Sequence, residues 1–365
     1  MVTNIGIYII NKPKQGAILA KTNVKTKVLF IMKERSAYGQ RTSAYGLYNS
    51  CDFVARYLRE MNIEAKVVQV LDNNAIDGEV KSFNPTHCFI EALWVVPEKF
   101  EVLSTLHPNV KWNVRLHSKI PFLATEGVAF EWLSGYVALR NKNIKIMLSA
   151  NSRDLYQELE FLYPNCVNYS PNIYYPDQDA PSNPVPNVRG GRDEFHVGLF
   201  GALRPLKNHL QQAIWAEEFA QNSKRKLFLH VNISEHENNE NGSVLRNLRS
   251  LFKNGAFKLV EHPWYAHADF LTLVRQMDLG LQVSFSETFN IVTADLVSQG
   301  VPVVASNEIE FVNALCKVSA TDNNAALTAM EMAIEYGSYG LNFLNNQLLN
   351  ASNKRAAKAW IKLLH

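Results

Sequence analysis

Short apolar runs of strand length alternate along this chain with connections long enough for helices, and the alternation happens twice. The first series predicts strands at 27–32, 66–71, 87–93, 110–116 and 143–148. Between the first two, 42–61 carries Leu47, Val54, Leu58 and Met61 near helical spacing. The second series predicts strands near 195–200, 226–231, 256–260, 278–283, 301–305 and 315–318. A buried strand followed by a helix-length crossover returns the chain parallel to itself, so each series predicts a doubly wound parallel α/β sheet. Residues 171–194 break the rhythm. Pro171, Pro176, Pro181, Pro184, Pro186, Gly190 and Gly191 mark a linker or long surface loop.

These boundaries predict an N-terminal domain over 27–175, a linker over 176–194 and a C-terminal domain over 195–344. A length of 365 residues suits two such domains. Residues 1–26 read as an arm or extra strand. The apolar run Ile5–Ile10 is short and has neither a basic segment before it nor a small-residue cleavage site after it. Near the C-terminus, Ala356, Ala357, Trp360, Ile361 and Leu364 give 345–365 an apolar helical face. That helix either crosses back onto the N-terminal domain or ends the C-terminal one. Ligands of open α/β sheets bind at carboxyl strand ends, so both domains can face a shared cleft.

Composition narrows the function classes. A net charge of +3 permits a nucleic-acid partner without arguing for one. The chain has no run of 18 apolar residues, so no spanning helix is expected. Cys51, Cys88, Cys166 and Cys316 are scattered, with no C-x-x-C pair. They read as reduced core thiols of a cytoplasmic protein. His262 and His267 lack acids or cysteines at metal spacing, and no metal site is expected. The glycine-rich dinucleotide and P-loop signatures and the G-x-S-x-G motif are absent.

The strongest motif is Ser284-Phe285-Ser286-Glu287-Thr288-Phe289-Asn290, followed by Ile291, Asp295 and Gly300-Val301-Pro302-Val303-Val304. The spacing of the two acids is weak by itself. With 34 acids in 365 residues, about three pairs eight apart arise by chance, mostly on solvated surfaces. Context strengthens it. Ser284, Ser286 and Thr288 supply hydroxyls, Asn290 can cap a helix, and amides of Phe289, Asn290 and Ile291 would point at an anion. Gly300 ends the helix before a buried strand. Upstream, Val197–Gly201 is a strand running into a glycine turn, followed by Arg204 and Lys207 before a helix. A strand, a glycine turn and cations make a diphosphate site.

Together these residues resemble the GT-B glycosyltransferases, in particular the retaining enzymes of family 4, over about 190–320 and in outline before it. Asn290-Ile291-Val292-Thr293-Ala294-Asp295 is most similar to glycosyltransferase-like proteins encoded by bacteriophages. The chain departs from the family at Asp295, where a Glu is usual, at Asn290, where a Gly is usual, and at Ala202, where an Arg is usual; Arg204 can supply that charge. The resemblance implies a nucleoside-diphosphate-sugar donor, no separate cofactor, no metal, and retention of anomeric configuration. It assigns Glu287 to the sugar hydroxyls and anomeric carbon and Asp295 to the ribose. Gly201, Arg204, Lys207, Ser284, Thr288 and the amides of Phe289–Ile291 fall to the rest of the donor. Acceptors of two kinds fit: hydroxymethylated bases of phage DNA, or a cell-surface glycan precursor. Two rival readings keep the fold without transfer to an acceptor: a non-catalytic nucleotide-sugar-binding protein and an epimerase.

The N-terminal half adds weaker candidates. The polar segment from Lys33 to Leu47 enters a helix, and Ser43 and Gly46 are its positions for close backbone approach to donor or acceptor; a plain surface loop is the alternative. Glu91 ends the third strand in apolar company, where a carboxylate needs a partner. It holds a ligand hydroxyl or pairs with Arg115. His117, with Ser118 beside it, ends the fourth strand, where imidazole can donate or accept near neutral pH. Related enzymes use such a histidine at the reaction centre; a structural histidine is the alternative.

Overall fold

The computed structural model describes residues 25–34, 36–37, 40–41, 45–176, 181, 183, 185–233, 242–253, 255 and 257–365. The described chain forms two compact units. One holds 25–175 and Asn353–His365, the other Pro176–Ser352.

The first unit runs β1 (Lys27–Lys33), α1 (Tyr45–Glu60), β2 (Glu64–Val70), α2 (Ala75–Phe83), β3 (His87–Glu91), α3 (Lys99–Leu106) and β4 (Lys111–Leu116). It continues through α4 (Ile120–Leu123), α5 (Ala129–Leu139), β5 (Ile146–Ala150), α6 (Arg153–Leu162) and β6 (Val167–Tyr169). Six of its strands form one parallel sheet, in the order β2-β1-β3-β4-β5-β6, and Ser36–Ala37 pairs antiparallel with Gln40–Arg41 in a separate two-stranded ribbon. Strand β6 was not among the strands expected from sequence. Three residues are too short to show a period, and it exists because β5 offers a free edge.

The second unit runs β7 (Glu194–Gly198), α7 (His209–Asn222), β8 (Lys226–Asn232), α8 (Ser243–Phe252), β9 (Lys258–His262), α9 (His267–Val274), β10 (Leu279–Gln282) and α10 (Ile291–Ser298). Then come β11 (Val303–Ser306), β12 (Lys317–Val318), α11 (Asn323–Tyr336) and the start of α12 (Asn342–Leu364), whose residues from Asn353 on belong to the first unit. Its sheet is again six-stranded and parallel, ordered β9-β8-β7-β10-β11-β12. The order reverses between β7 and β10, so the loops leaving those two strands flank the crevice where open α/β sheets take ligands. In the first unit the equivalent point lies between β1 and β3.

Strand β10 shows how tightly sheet and helix meet. A Cβ placed on Gly280 would lie 2.3 Å from Leu296 Cδ1, so only glycine lets α10 approach.

In the first unit, Val28, Phe30, Phe89 and Val54 form a core with Ile173 and the end of α12. Residues 170–174 are buried, although Pro171 reads as part of a loop. Trp360 is fully buried. Its ring centroid lies 5.0 Å from that of Phe89 and 5.7 Å from that of Phe30, and its Nε1 donates to the Pro171 carbonyl at 2.7 Å. Truncating it removes a large apolar body and leaves a void. Trp360→Ala is expected to cost about 3–5 kcal/mol in urea unfolding; a loss below about 1 kcal/mol would show that the helix end contributes little to this core. Among the described residues, no helix is long and apolar enough to cross a membrane.

Candidate active site

In the second unit, β7 delivers the chain to Gly201, whose φ of +113° suits glycine. Its N–H donates to Asn232 Oδ1 at the end of β8, at 3.3 Å. A Cβ here would meet only Val292, at 3.9 Å, so conformation rather than space requires glycine. The chain then makes a 3₁₀ turn over Pro205–Lys207 and a left-handed step at Asn208 (φ +58°). Two buried amides tie this turn to the loop leaving β10. Asn208 Nδ2 donates to the Val283 carbonyl at 3.2 Å. Gln212 Oε1 accepts from Val283 N at 2.6 Å while its Nε2 donates to the Lys207 carbonyl at 2.9 Å. The backbone adds Phe285 N to the Leu206 carbonyl at 2.9 Å.

That register sets Lys207 on Glu287, 80 positions away, with the ammonium donating to Glu287 Oε1. The same oxygen accepts from Ser284 Oγ at 3.0 Å and from Asn290 Nδ2 at 3.2 Å. Glu287 is only 7% exposed. Three donors on one buried carboxylate oxygen fix its direction and offset its desolvation. Asn290 has three partners: its Nδ2 also donates to Gln282 Oε1 at 3.0 Å, and its Oδ1 caps α10 by accepting from Thr293 N at 2.9 Å. Its φ is +56°. Asparagine tolerates that left-handed conformation better than most residues, which accounts for its standing where glycine is usual. Phe289 is buried against Phe311, with centroids 5.0 Å apart, so its side chain is core and only its backbone faces the loop. Thr288 and Ile291 are half-buried beside it, and Arg204 is exposed three residues before Lys207.

Asp295 is on α10 with its side chain 2% exposed, and its Oδ1 lies 2.7 Å from Nε2 of His267, the first residue of α9. A second set of histidines crosses the sheet on β7, β8 and β9. Glu194 Oε2 lies 3.2 Å from His196 Nε2, His196 Nδ1 is 2.9 Å from His230 Nε2, and His230 Nδ1 is 2.8 Å from His262 Nε2. Burial, then the neighbouring imidazoles, takes His230 down to about 2, and burial takes His262 to about 4. His209 falls to about 3, by burial and then Lys207, and His87 to about 4, by burial and then Lys111.

An unfolded chain protonates these rings near pH 6.5, whereas the folded chain refuses the proton. The stability they contribute is therefore complete above about pH 6.5 and falls as pH drops below it, toward their folded values. Each contributes a slope of about 1.4 kcal/mol per pH unit there. Urea midpoints are expected to drop steeply between pH 7 and pH 5, before most carboxylates titrate; equal midpoints at the two pH values would contradict neutral buried rings.

In the first unit, β3 and β4 set Glu91 beside Arg115, and both are fully buried. Arg115 Nη1 lies 3.2 Å from Glu91 Oε2, Nε donates to the Ser170 carbonyl at 2.9 Å, and Nη2 donates to Asn172 Oδ1 at 2.5 Å. His117 Nε2 sits 2.5 Å from the same Glu91 Oε2, and its Nδ1 is 3.4 Å from Asn151 Nδ2. Burial opposes charge on Glu91, but Arg115 and then His117 outweigh it and hold the carboxyl below its ordinary value. Burial lowers His117, with Glu91 pulling the other way. The pair is a carboxylate and a neutral imidazole oriented as Nε2–H. Ala92, next in the chain, has φ +68°, a strained step for a residue with a Cβ; such strain is often found beside functional groups.

Of the residues singled out from sequence, the structure brings Lys207, Ser284, Glu287 and Asn290 together beside the Gly201 turn. Glu91, which sequence left as ligand contact or partner of Arg115, has Arg115 and His117 as partners. Ser118 follows His117 half-buried, and Gly46 lies exposed in α1. Ser43 and most of 1–26 lie outside the described residues. Sequence reasoning missed Asn208, Gln212, Asn232 and Asn172, and it weighed His267 only as a metal ligand. Its acid partner is 28 positions away, and no local pattern announces it. Among the described residues, no group of three or more His, Cys, Asp or Glu could hold a metal ion.

No protein-family model and no curated protein sequence matches this chain. Solved structures do. The N-terminal domain of Candida albicans trehalose-6-phosphate phosphatase superposes with a TM-score of 0.66 at 13% identity, over 96% of this chain and 99% of that one. A UDP-forming α,α-trehalose-phosphate synthase from Burkholderia xenovorans gives 0.61 at 14% identity, over 80% of this chain and 77% of that one. Anabaena HepE, solved with UDP, gives 0.58 at 14% identity, over 93% of this chain and 98% of that one. With two parallel six-stranded α/β units, the chain has the GT-B fold.

Proposed function

We propose that this chain is a glycosyltransferase that moves a sugar from a nucleoside diphosphate to an acceptor hydroxyl. The observation that carries the reading is the convergence of Lys207, Ser284 and Asn290 on buried Glu287, beside the Gly201 turn and at the point where strand order reverses. Anion-binding turns and ligand crevices of such sheets lie there. The structures it resembles include one solved with UDP and one described as UDP-forming.

In this reading a donor diphosphate competes with Glu287 for the Lys207 ammonium. The cation then stabilises charge developing on the leaving phosphate, a role that Arg204 and the first amides of α10 share. Glu287, still held by Ser284 and Asn290, turns its carboxylate to the hydroxyls of the sugar. These groups supply the electrostatics without a metal, and transfer retains anomeric configuration. In the first unit, His117 and Glu91 make an oriented imidazole–carboxylate pair able to accept or give a proton.

The test is a thermal-shift series with UDP, GDP, ADP and CMP and their sugars. One diphosphate raises the melting temperature of the wild type and fails to raise that of Lys207→Ala. If no nucleotide shifts the wild type, the reading is wrong. The donor so identified, carrying a radiolabelled sugar, is then offered hydroxymethylated DNA, the acceptor class we put first, beside a glycan acceptor. Label appearing only in the glycan removes the DNA proposal.

A further inference from the structure

An unbroken line of hydrogen bonds runs from the Gly201 turn to Glu287. Gln282, the last residue of β10, is buried at the carboxyl edge of the sheet. Its Nε2 donates to the carbonyl of Phe200, the residue before Gly201, at 3.0 Å. Its Oε1 accepts from Asn290 Nδ2 at 3.0 Å, and the same Nδ2 donates to Glu287 Oε1 at 3.2 Å. We propose that Gln282 is a positioning residue for sugar transfer, acting through Asn290 to hold Glu287 in register with the Gly201 turn. The inference rests on the glycosyltransferase reading above.

The line has one direction. A carbonyl only accepts, so Gln282 turns its Nε2 to Phe200 and its Oε1 to Asn290. That oxygen only accepts as well, so Asn290 must present its Nδ2 there. Its Oδ1 is thereby left to cap α10 at Thr293 N, and its second Nδ2 hydrogen to meet the Glu287 carboxylate. Ser284 Oγ reaches the same Glu287 oxygen from a backbone that Ser306 Oγ pins, accepting from Ser284 N at 2.8 Å. When a diphosphate draws Lys207 away, Ser284 and Asn290 keep Glu287 aimed, and Gln282 fixes Asn290 from behind. Removing the Gln282 amide leaves a buried Asn290 hydrogen without its acceptor. The Asn290 amide then turns toward another acceptor and takes its bond from Glu287. Small misplacements of a reacting group lower turnover steeply, whereas they touch ground-state binding little.

A double-variant cycle on the full chain tests this. Gln282→Met keeps the volume and removes both bonds, and Asn290→Gly suits the left-handed φ of +56° at that position. Turnover is read as nucleoside diphosphate released from the donor found by thermal shift among the UDP, GDP, ADP and CMP sugars. Gln282→Met is expected to lower kcat about tenfold, the value of one hydrogen bond. Calorimetric binding of the bare diphosphate stays within about threefold of wild type, because Lys207 and Gly201 are untouched. In the Asn290→Gly background Gln282 Oε1 has lost its donor, so adding Gln282→Met leaves kcat within about twofold or raises it. A merely structural glutamine costs the same factor in both backgrounds. Gln282→Leu carries the same cycle if the methionine variant unfolds. A wild type that neither binds a nucleotide nor turns over any donor overturns the glycosyltransferase reading and the inference together. With an active wild type, three results overturn the inference alone: kcat within about twofold in Gln282→Met, binding lost in proportion to kcat, or an equal loss in both backgrounds.

Discussion

Replacing Glu287 by alanine is expected to slow sugar transfer by about 10²–10³-fold, the range seen when one preorganised electrostatic group is removed from a reaction centre. The variant loses the carboxylate on which Lys207, Ser284 and Asn290 converge. Lys207 is freed from its ion pair, so binding of a bare nucleoside diphosphate should hold or tighten while turnover collapses. That split separates a catalytic role from a scaffolding one. Glu287→Gln keeps the volume and lets Ser284 still donate to the side-chain oxygen, so it tests the charge alone. Steady-state kinetics with the donor found by thermal shift gives kcat/KM for wild type, Glu287→Ala, Glu287→Gln, Lys207→Ala and the double variant. Groups that act as a unit are not additive, so the double variant should lose less than the two single losses multiplied. A Glu287→Ala enzyme within about threefold of wild type would remove Glu287 from the chemistry.

Arg115→Met should destabilise the first unit by about 3–5 kcal/mol, the usual cost of breaking a buried ion pair from one side. The guanidinium is fully buried and bonds Glu91, the Ser170 carbonyl and Asn172 Oδ1. It also lies 5.4 Å from the Trp360 ring centroid. Without it Glu91 keeps a buried charge with His117 and the Cys51 thiol beside it, and two acceptors lose their donor. Glu91→Gln combined with Arg115→Met removes both charges and should recover part of the loss, because nothing ionised is then left uncompensated. Urea unfolding of the two singles and the double decides it. A single-variant cost below about 1 kcal/mol, or a double variant as unstable as the summed singles, would show that the pair is not coupled as its geometry indicates.

Much of the fold was legible in sequence because its signals are local. Apolar runs such as Lys27–Met32 and Val301–Val304 show a buried parallel strand by composition, and Gly201 and Gly300 mark turns by conformational freedom. Only very short elements such as Val167–Tyr169 carry too few residues to show a period. Asn290 was legible as a cap, since side chain and capped amide lie three residues apart. Its second duty as a left-handed residue was not, because that depends on how the loop leaves β10.

The residues alone were enough to specify two parallel α/β sheets and to single out Lys207, Glu287, Asp295, Glu91 and His117 as candidates for the site. Tertiary structure alone decided their partners. Lys207 meets Glu287 across 80 positions, Asp295 meets His267 across 28, and Arg115 meets Asn172 across 57. Parallel strands place their carboxyl ends at one edge whatever the crossover length, so positions distant in the chain become neighbours there. Spacing along the chain does not record which of them touch. Partnership, in turn, sets protonation state, direction and exposure, the properties on which the proposed chemistry depends.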